Sequence, residues 1–206
     1  MSTVRINHCI ECSSFPCEDV NHSQYLIPAV NVDQVNINVI IISECVPPDP
    51  RDHYYAGEEA SFAESTLSVL QAAGFDVTRF SDLLAKGIYC TTAVKCGKTG
   101  YGIKASTIRN CSLILEKELA LFSRVKAYML MGDVAIKAVN HINQRLTGNN
   151  AIPKGATYKL RAGNYTFQGH PVFPSYLQVG PSFGIEKSKE RMIVEDLQRV
   201  KRFLQE

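Results

Sequence analysis

The sequence lacks any apolar run long enough to cross a membrane, so we expect no membrane partner. Residues 1–11 lack the apolar core of a secretory signal peptide, which predicts a cytoplasmic protein with reduced thiols. The seven cysteines are then not a disulfide framework, and an odd number leaves one unpaired. The net charge of +2 provides no strongly basic body, so a nucleic-acid partner would have to use a local basic patch.

The chain has 206 residues, 45% of them hydrophobic, which is enough for one domain with a sizeable core. We therefore predict a single domain over residues 1–206. Residues 1–34 are polar and irregular and carry three of the cysteines, so they form a distinct N-terminal segment of that domain.

Apolar, β-branched runs alternate with helical patterns along the rest of the chain. The predicted strands are Val35–Ile42, Gly87–Val94, Val125–Met131 and Pro171–Pro174, and a short hairpin is predicted from Thr157–Leu160 and Tyr165–Phe167. The predicted helices are Glu64–Ala73, Ser106–Phe122, one that begins at Asp133, and Glu186–Leu204. This alternation predicts an α/β fold, a three-layer α/β/α sandwich around a central, mostly parallel four-stranded sheet, with ligands bound beyond the carboxyl ends of the strands.

Four cysteines have a spacing typical of a metal or iron–sulfur site. Cys9 and Cys12 form a CxxC pair, and Cys96 and Cys111 lie far downstream. Thiolates are soft ligands that bind iron and zinc tightly, and ligands from distant segments can converge on one cluster. The alternative is that these cysteines are buried free thiols, since cysteine behaves as a small hydrophobic residue.

Several short motifs follow the predicted strands. They are Ile42–Pro47 (ISECVP), Tyr54–Gly57 (YYAG), Cys90–Cys96 (CTTAVKC), Met131–Gly132 and Phe173–Ser175 (FPS). They resemble, in the same order, five motifs of the iron–sulfur uracil-DNA glycosylases, family 4 of that superfamily. The first three family motifs are G-E-A-P-G, P-F-V-G and I-T-N-V-V-K-C. The other two are the glycine after the third strand and H-P-S. The resemblance extends over residues 8–204.

The resemblance implies a structural 4Fe–4S cluster bound by four cysteines, which are Cys9, Cys12, Cys96 and Cys111. Residues 1–34 would then be a cluster-binding segment. Cys17 is an alternative ligand. Zinc is an alternative metal, because four cysteines also satisfy tetrahedral zinc.

The resemblance also implies an enzyme that hydrolyses the N-glycosidic bond of a deaminated or damaged, uracil-like base in DNA. Glu44 and Thr92 are the implied catalytic residues, with Asp49 and Asp52 as further acids in the same loop. The implied base-binding residues are Cys45, Tyr55, Thr92 and Phe173.

Two of these positions depart from the family, since Thr92 replaces an asparagine that reads uracil and Phe173 replaces a histidine that stabilises the leaving base. Phenylalanine donates no hydrogen bond, and a threonine hydroxyl is shorter than an amide and offers one donor. These departures favour a second interpretation, a non-catalytic module that binds nucleic acid or a base. A redox sensor that uses the cluster is a third.

The expected partner is DNA, single- or double-stranded, and we expect a monomer. A glycine-containing loop, Gly97–Gly102, permits a close approach to a phosphate backbone. The predicted DNA contacts are Lys95, Lys98, Lys104 and Ser175.

Overall fold

The computed structural model describes residues 3–180 and 183–205. Its strands are β1 Thr3–Arg5, β2 Val20–Asn21, β3 Asn31–Asp33, β4 Val39–Val46, β5 Ile88–Lys98, β6 Ala127–Met131, β7 Tyr165–Phe167 and β8 His170–Ser175. Its α-helices are α1 Ser61–Ala72, α2 Ala105–Leu119, α3 Asp133–Thr147, α4 Thr157–Leu160 and α5 Lys187–Gln205. Short 3-10 helices lie at Ile6–His8, His22–Gln24, Pro50–Asp52 and Phe80–Asp82. None of the helices in the described ranges has the length and apolar character needed to cross a membrane.

Six strands form the main sheet, in the order β2-β5-β4-β6-β8-β7. The four inner strands are parallel, while the edge strands β2 and β7 pair antiparallel with β5 and β8. The predicted mixed α/β class is therefore present, but the sheet has six strands where the sequence predicted four. Strand β2 is only two residues long, so no hydrophobic pattern marks it in the sequence.

Helices cover both faces of this sheet. Successive strand residues point to opposite sides, and apolar side chains on both sides pack against helices. Ile40 and Ile42 face a core formed with α2 and α3, and Ile41 faces a core formed with α1 and α5. The helical side chains in these cores include Ile108, Leu115, Val139 and Ile142 on the first face, and Phe62, Leu70, Ile193 and Leu197 on the second.

Strand β4 lies four residues later than the sequence predicted. The side chain of Asp33 accepts hydrogen bonds from the backbone of Val35 (3.3 Å) and the side chain of Asn36 (2.9 Å). These bonds hold the first apolar residues in a turn, as aspartate commonly does. The strand then continues to Val46, because it lies at the centre of the sheet between β5 and β6.

The predicted hairpin is also corrected. Thr157–Leu160 is a short helix, and Tyr165–Phe167 pairs instead with β8 through a tight turn at Gln168 and Gly169. Both turn residues have positive φ, 52° and 82°, which is the geometry that joins two antiparallel strands most closely.

The N-terminal segment contains more regular structure than predicted. Strands β1 and β3 pair with each other, and β2 extends the main sheet beside the end of β5. The Asp19 carboxylate accepts a hydrogen bond from the Lys104 backbone at 2.6 Å and another from the Thr107 hydroxyl. These bonds satisfy donors at the start of α2, which begins at Ala105, one residue before the predicted start at Ser106.

Candidate functional site

A cleft of about 520 Å³ opens at the carboxyl ends of β4 and β5. This is the edge of a parallel sheet where α/β proteins bind ligands. Its polar lining includes Glu44 from β4, Lys98 from β5, and Asp49 and Asp52 from the loop after β4. Its apolar lining comes from Cys45, Val46, Pro47, Pro48, Phe62, Leu177, Val179 and Phe183.

Glu44 lies at the N-terminus of α3. Its Oε1 is 3.5 Å from the backbone nitrogen of Val134, which donates to it. Gly132 precedes the helix with φ of 96°, and a Cβ at that position would lie 2.5 Å from the same oxygen. Glycine is therefore required here both for the backbone conformation and for the approach of the carboxylate.

The charge state of Glu44 depends on opposing effects. Burial raises the pKa of Glu44 above its usual range, while the Val134 N–H and the Lys98 ammonium oppose that rise. The positive end of the α3 dipole also favours the carboxylate form. Asp49 differs, because its contact with Arg51 lowers its pKa to about 2 and keeps it ionised.

Cys45 joins the cleft to the interior. Its buried thiol lines the cleft and donates to the Cys96 carbonyl at 3.1 Å. Burial raises the pKa of Cys45, so this side chain is a neutral thiol.

The structure does not place Tyr55 in the cleft. Its hydroxyl accepts a hydrogen bond from the Cys90 backbone at 3.0 Å, and its ring packs against Phe80 and Tyr89. The aromatic residues that line the cleft are instead Phe62 and Phe183. Sequence reasoning missed both, because Phe62 follows the ordinary core pattern of α1 and Phe183 lies in an irregular loop.

Thr92 and Phe173 also lie away from the cleft lining. Thr92 is buried in β5, opposite Ser43 of β4. Phe173 contacts α5, where its ring centroid is 6.3 Å from that of Phe203 and 5.5 Å from the guanidinium carbon of Arg199. Neither side chain lines the cleft, because Thr92 is buried in the sheet and Phe173 packs against α5, and their roles as base contacts stay predictions.

Two of the four predicted DNA contacts are buried. Lys95 is fully buried and paired with Glu118, and the Ser175 hydroxyl donates to Asp196 at 2.7 Å. Neither side chain reaches the surface, so both predictions are corrected. Lys98 lines the cleft, and Lys104 is exposed beside Glu18 with 3.5 Å between the charged atoms.

Four cysteines line one cavity, and they differ from the predicted ligand set at one residue. Cys12, Cys17, Cys96 and Cys111 line one cavity of about 230 Å³. Burial raises the pKa of Cys96 to about 12 and that of Cys111 to about 11, and the nearby Cys12 and Cys17 thiols contribute to both rises. Cys9 is exposed and donates to the Arg5 carbonyl at 3.7 Å, so it lies outside this cavity lining, and its role as a ligand stays a prediction.

The cavity brings four thiols to one lining, but their side chains are not gathered around one point. Within residues 3–180 and 183–205, no three cysteine, histidine or acidic side chains are close enough together to hold a metal ion. The His22 Nε2 and Tyr25 hydroxyl are buried without a hydrogen-bond partner among these residues, and both side chains line the same cavity. Unpartnered polar atoms beside four cysteines suit a polar or ionic group better than an apolar core.

The comparisons with known proteins support the resemblance found in the motifs. Over 100 residues the chain is 29% identical to a type-5 uracil-DNA glycosylase of Thermus thermophilus. The match covers 48% of this chain and 45% of that protein's length. No protein-family model matches the chain. The similarity confirms the predicted resemblance to the uracil-DNA glycosylase superfamily.

Proposed function

We propose that this chain is a DNA glycosylase that hydrolyses the N-glycosidic bond of a deaminated, uracil-like base. The observation that carries the proposal is the cleft at the carboxyl edge of the sheet, where Glu44 and Lys98 face the same space at the N-terminus of α3. A flipped nucleotide needs such a pocket to hold its base. The similarity to a uracil-DNA glycosylase supplies the class of reaction.

Glu44 has the position of a base that activates water. In the proposed reaction, water oxygen bonds to the sugar C1′ as the C1′–N bond breaks, and the electron pair leaves with the base. The Glu44 carboxylate takes the proton of the water, and the Lys98 ammonium stabilises the negative charge on the departing base. Phe62 and Phe183 provide aromatic faces for the base within the cleft.

We propose further that Cys12, Cys17, Cys96 and Cys111 bind a 4Fe–4S cluster, with zinc as the alternative metal. The supporting observation is that these four side chains line one cavity. The cluster's contribution is structural, because its ligands come from the N-terminal segment, β5 and α2 and bind these three parts together. A hydrogen bond connects the cysteine-lined cavity to the base cleft, because Cys45, which lines the cleft, donates to the carbonyl of Cys96, which lines the cavity.

Glu44→Gln tests the proposed reaction. We expect it to slow excision by about 100-fold or more, because glutamine keeps the shape of the side chain but cannot accept the proton of water. The assay is release of uracil, hypoxanthine or xanthine from oligonucleotides by protein purified without oxygen. Asp76→Asn is the control, since Asp76 is an exposed acid that pairs with Lys86 outside the cleft. Equal excision by Glu44→Gln and the unaltered protein would contradict the role of Glu44 and direct attention to Asp52.

Activity should depend on pH through Glu44. The ionised form is the active base, so activity is lost as the pH falls through the pKa of Glu44, which lies above its usual range. The Lys98 ammonium lowers this pKa, so Lys98→Ala should move the acidic limb of the kcat/KM profile to higher pH. The profile is measured on both proteins with one oligonucleotide. An acidic limb that stays in place would show that another group controls it.

The second candidate function is the non-catalytic module that binds DNA. The observation that favours it is the absence of Thr92 and Phe173 from the cleft lining, together with their departure from the family residues. Such a module would bind the same oligonucleotides with the salt dependence of phosphate contacts but release no base from any of them.

A further inference from the structure

An aromatic ring stands free in solvent at the loop between β5 and α2. Tyr101 is 102% exposed, so its ring contributes nothing to the core. Gly100 and Gly102 flank it, and a Cβ at either glycine would meet no atom within 4 Å. The Lys98 ammonium lies 5.9 Å from the centroid of the Tyr101 ring. An exposed aromatic residue beside a cation, on a loop with open space around it, is typical of a binding surface.

A second tyrosine and lysine lie close to this loop. The Lys189 ammonium is 5.6 Å from the centroid of Tyr176, which follows β8. The pKa of Lys189 is raised first by its hydrogen bond to Glu186, with smaller contributions from Tyr176 and Tyr101. The two pairs belong to loops that are distant in the sequence, since Tyr101 precedes α2 and Tyr176 follows β8.

Lys98 and the Tyr176–Lys189 pair lie at adjoining cavities that share Glu44. Lys98 lines the base cleft, while Tyr176 and Lys189 line a smaller cavity of about 200 Å³. Both cavities share Glu44, Leu177 and Phe183 in their lining. A nucleic-acid strand that places one nucleotide in the cleft would pass its neighbours over the tyrosine and lysine side chains.

We propose that Tyr101 binds unpaired DNA by stacking on the base next to the nucleotide held in the cleft. The inference rests on the proposed function. Every base offers a flat face to a tyrosine ring, so this contact tolerates any neighbouring sequence. Lys189 contacts a flanking phosphate, while Lys98, which lines the base cleft 5.9 Å from the Tyr101 ring, keeps its proposed contact with the departing base. A base inside a duplex already stacks on its neighbours, so the site favours single-stranded DNA over duplex.

The test measures binding separately from excision. The probe is a single-stranded oligonucleotide with a tetrahydrofuran abasic analogue at its centre and 2-aminopurine on one side of it. We expect Tyr101→Ala to weaken binding by about 5- to 100-fold and to remove the quenching of 2-aminopurine that stacking causes. Tyr101→Phe should keep the binding and the quenching of 2-aminopurine, because phenylalanine retains the aromatic ring. Leu146→Ala is the control, since Leu146 is 52% exposed near the far end of α3.

Each outcome separates the inference from the proposed function. Equal binding and quenching by Tyr101→Ala, in a protein that still binds and excises, would overturn the stacking role alone. Weak binding by Tyr101→Phe would also overturn it, because the hydroxyl would then be the contact. Tighter binding to the matched duplex would overturn the preference for unpaired DNA. An unaltered protein that neither binds nor excises from any oligonucleotide would overturn both proposals.

Discussion

Cys17→Ala should leave the purified protein with little iron, while Cys9→Ala should keep the iron of the unaltered chain. Cys17 lines the cavity with Cys12, Cys96 and Cys111, whereas Cys9 is exposed outside it. A cluster that loses one of four thiolates loses the free energy that ties the N-terminal segment to β5 and α2. The loss should therefore appear as missing cofactor and as lower stability.

The measurement is iron and sulfide content per chain, with visible absorbance, after purification without oxygen. The unaltered chain should contain about four irons, as expected for a 4Fe–4S cluster. Iron lost on Cys9→Ala but kept on Cys17→Ala would restore the CxxC pair as ligands. Colourless protein with stoichiometric zinc would instead favour zinc at the same four cysteines.

The choice between Cys9 and Cys17 shows what spacing alone leaves open. A CxxC pair is a familiar metal-binding pattern, so the sequence favours Cys9 with Cys12. The path of the chain leaves Cys9 exposed after the 3-10 turn at Ile6–His8 and brings Cys17 to the cavity beside α2, so our proposal prefers Cys17, and the choice stays a prediction. That path depends on long-range pairing, including the bond from Asp19 to the start of α2, which local patterns do not contain.

The parallel strands were easier to predict than the edges of the sheet. Buried strands contain continuous runs of β-branched residues, so β5 and β6 were predicted to begin at nearly the right positions, while β4 was predicted four residues early. The ends of the strands were predicted less well, because pairing with neighbouring strands decides where a strand begins and ends. Strand β5 extends to Lys98 since β2 pairs with it there, and β2 itself is too short to carry a pattern.

Some residues of the candidate site were predicted in the right place, and others were not. Glu44 was assigned by the resemblance and Lys98 as a DNA contact, and the structure places both in the cleft at the carboxyl edge of the sheet, where α/β proteins bind ligands. Their chemical roles stay predictions. Tyr55, Thr92 and Phe173 were assigned by resemblance to motifs, and their side chains are turned away by local packing that the motifs do not encode.

Lys95→Met is expected to destabilise the protein by about 3–5 kcal/mol, because it leaves the buried Glu118 carboxylate without its cation. Both side chains are fully buried between β5 and α2. The Glu118 Oε1 also accepts from the Tyr89 hydroxyl at 2.6 Å and the Thr91 hydroxyl at 2.8 Å. The Lys95 ammonium donates to Thr91 at 2.8 Å. The network is satisfied only when both charges are present.

The double variant separates the cost of an unpaired charge from the cost of lost packing. Glu118→Gln added to Lys95→Met removes the remaining charge and keeps an acceptor for Tyr89 and Thr91, so most of the lost stability should return. Lys104→Met is the matched control for removing a lysine. Its partner Glu18 is exposed, so the change should cost less than about 1 kcal/mol. Urea unfolding of the four proteins measures each free energy. Two results would contradict a stabilising role for the charges of the buried pair. The first is that Lys95→Met loses no more free energy of unfolding than Lys104→Met. The second is that the double variant is less stable than Lys95→Met.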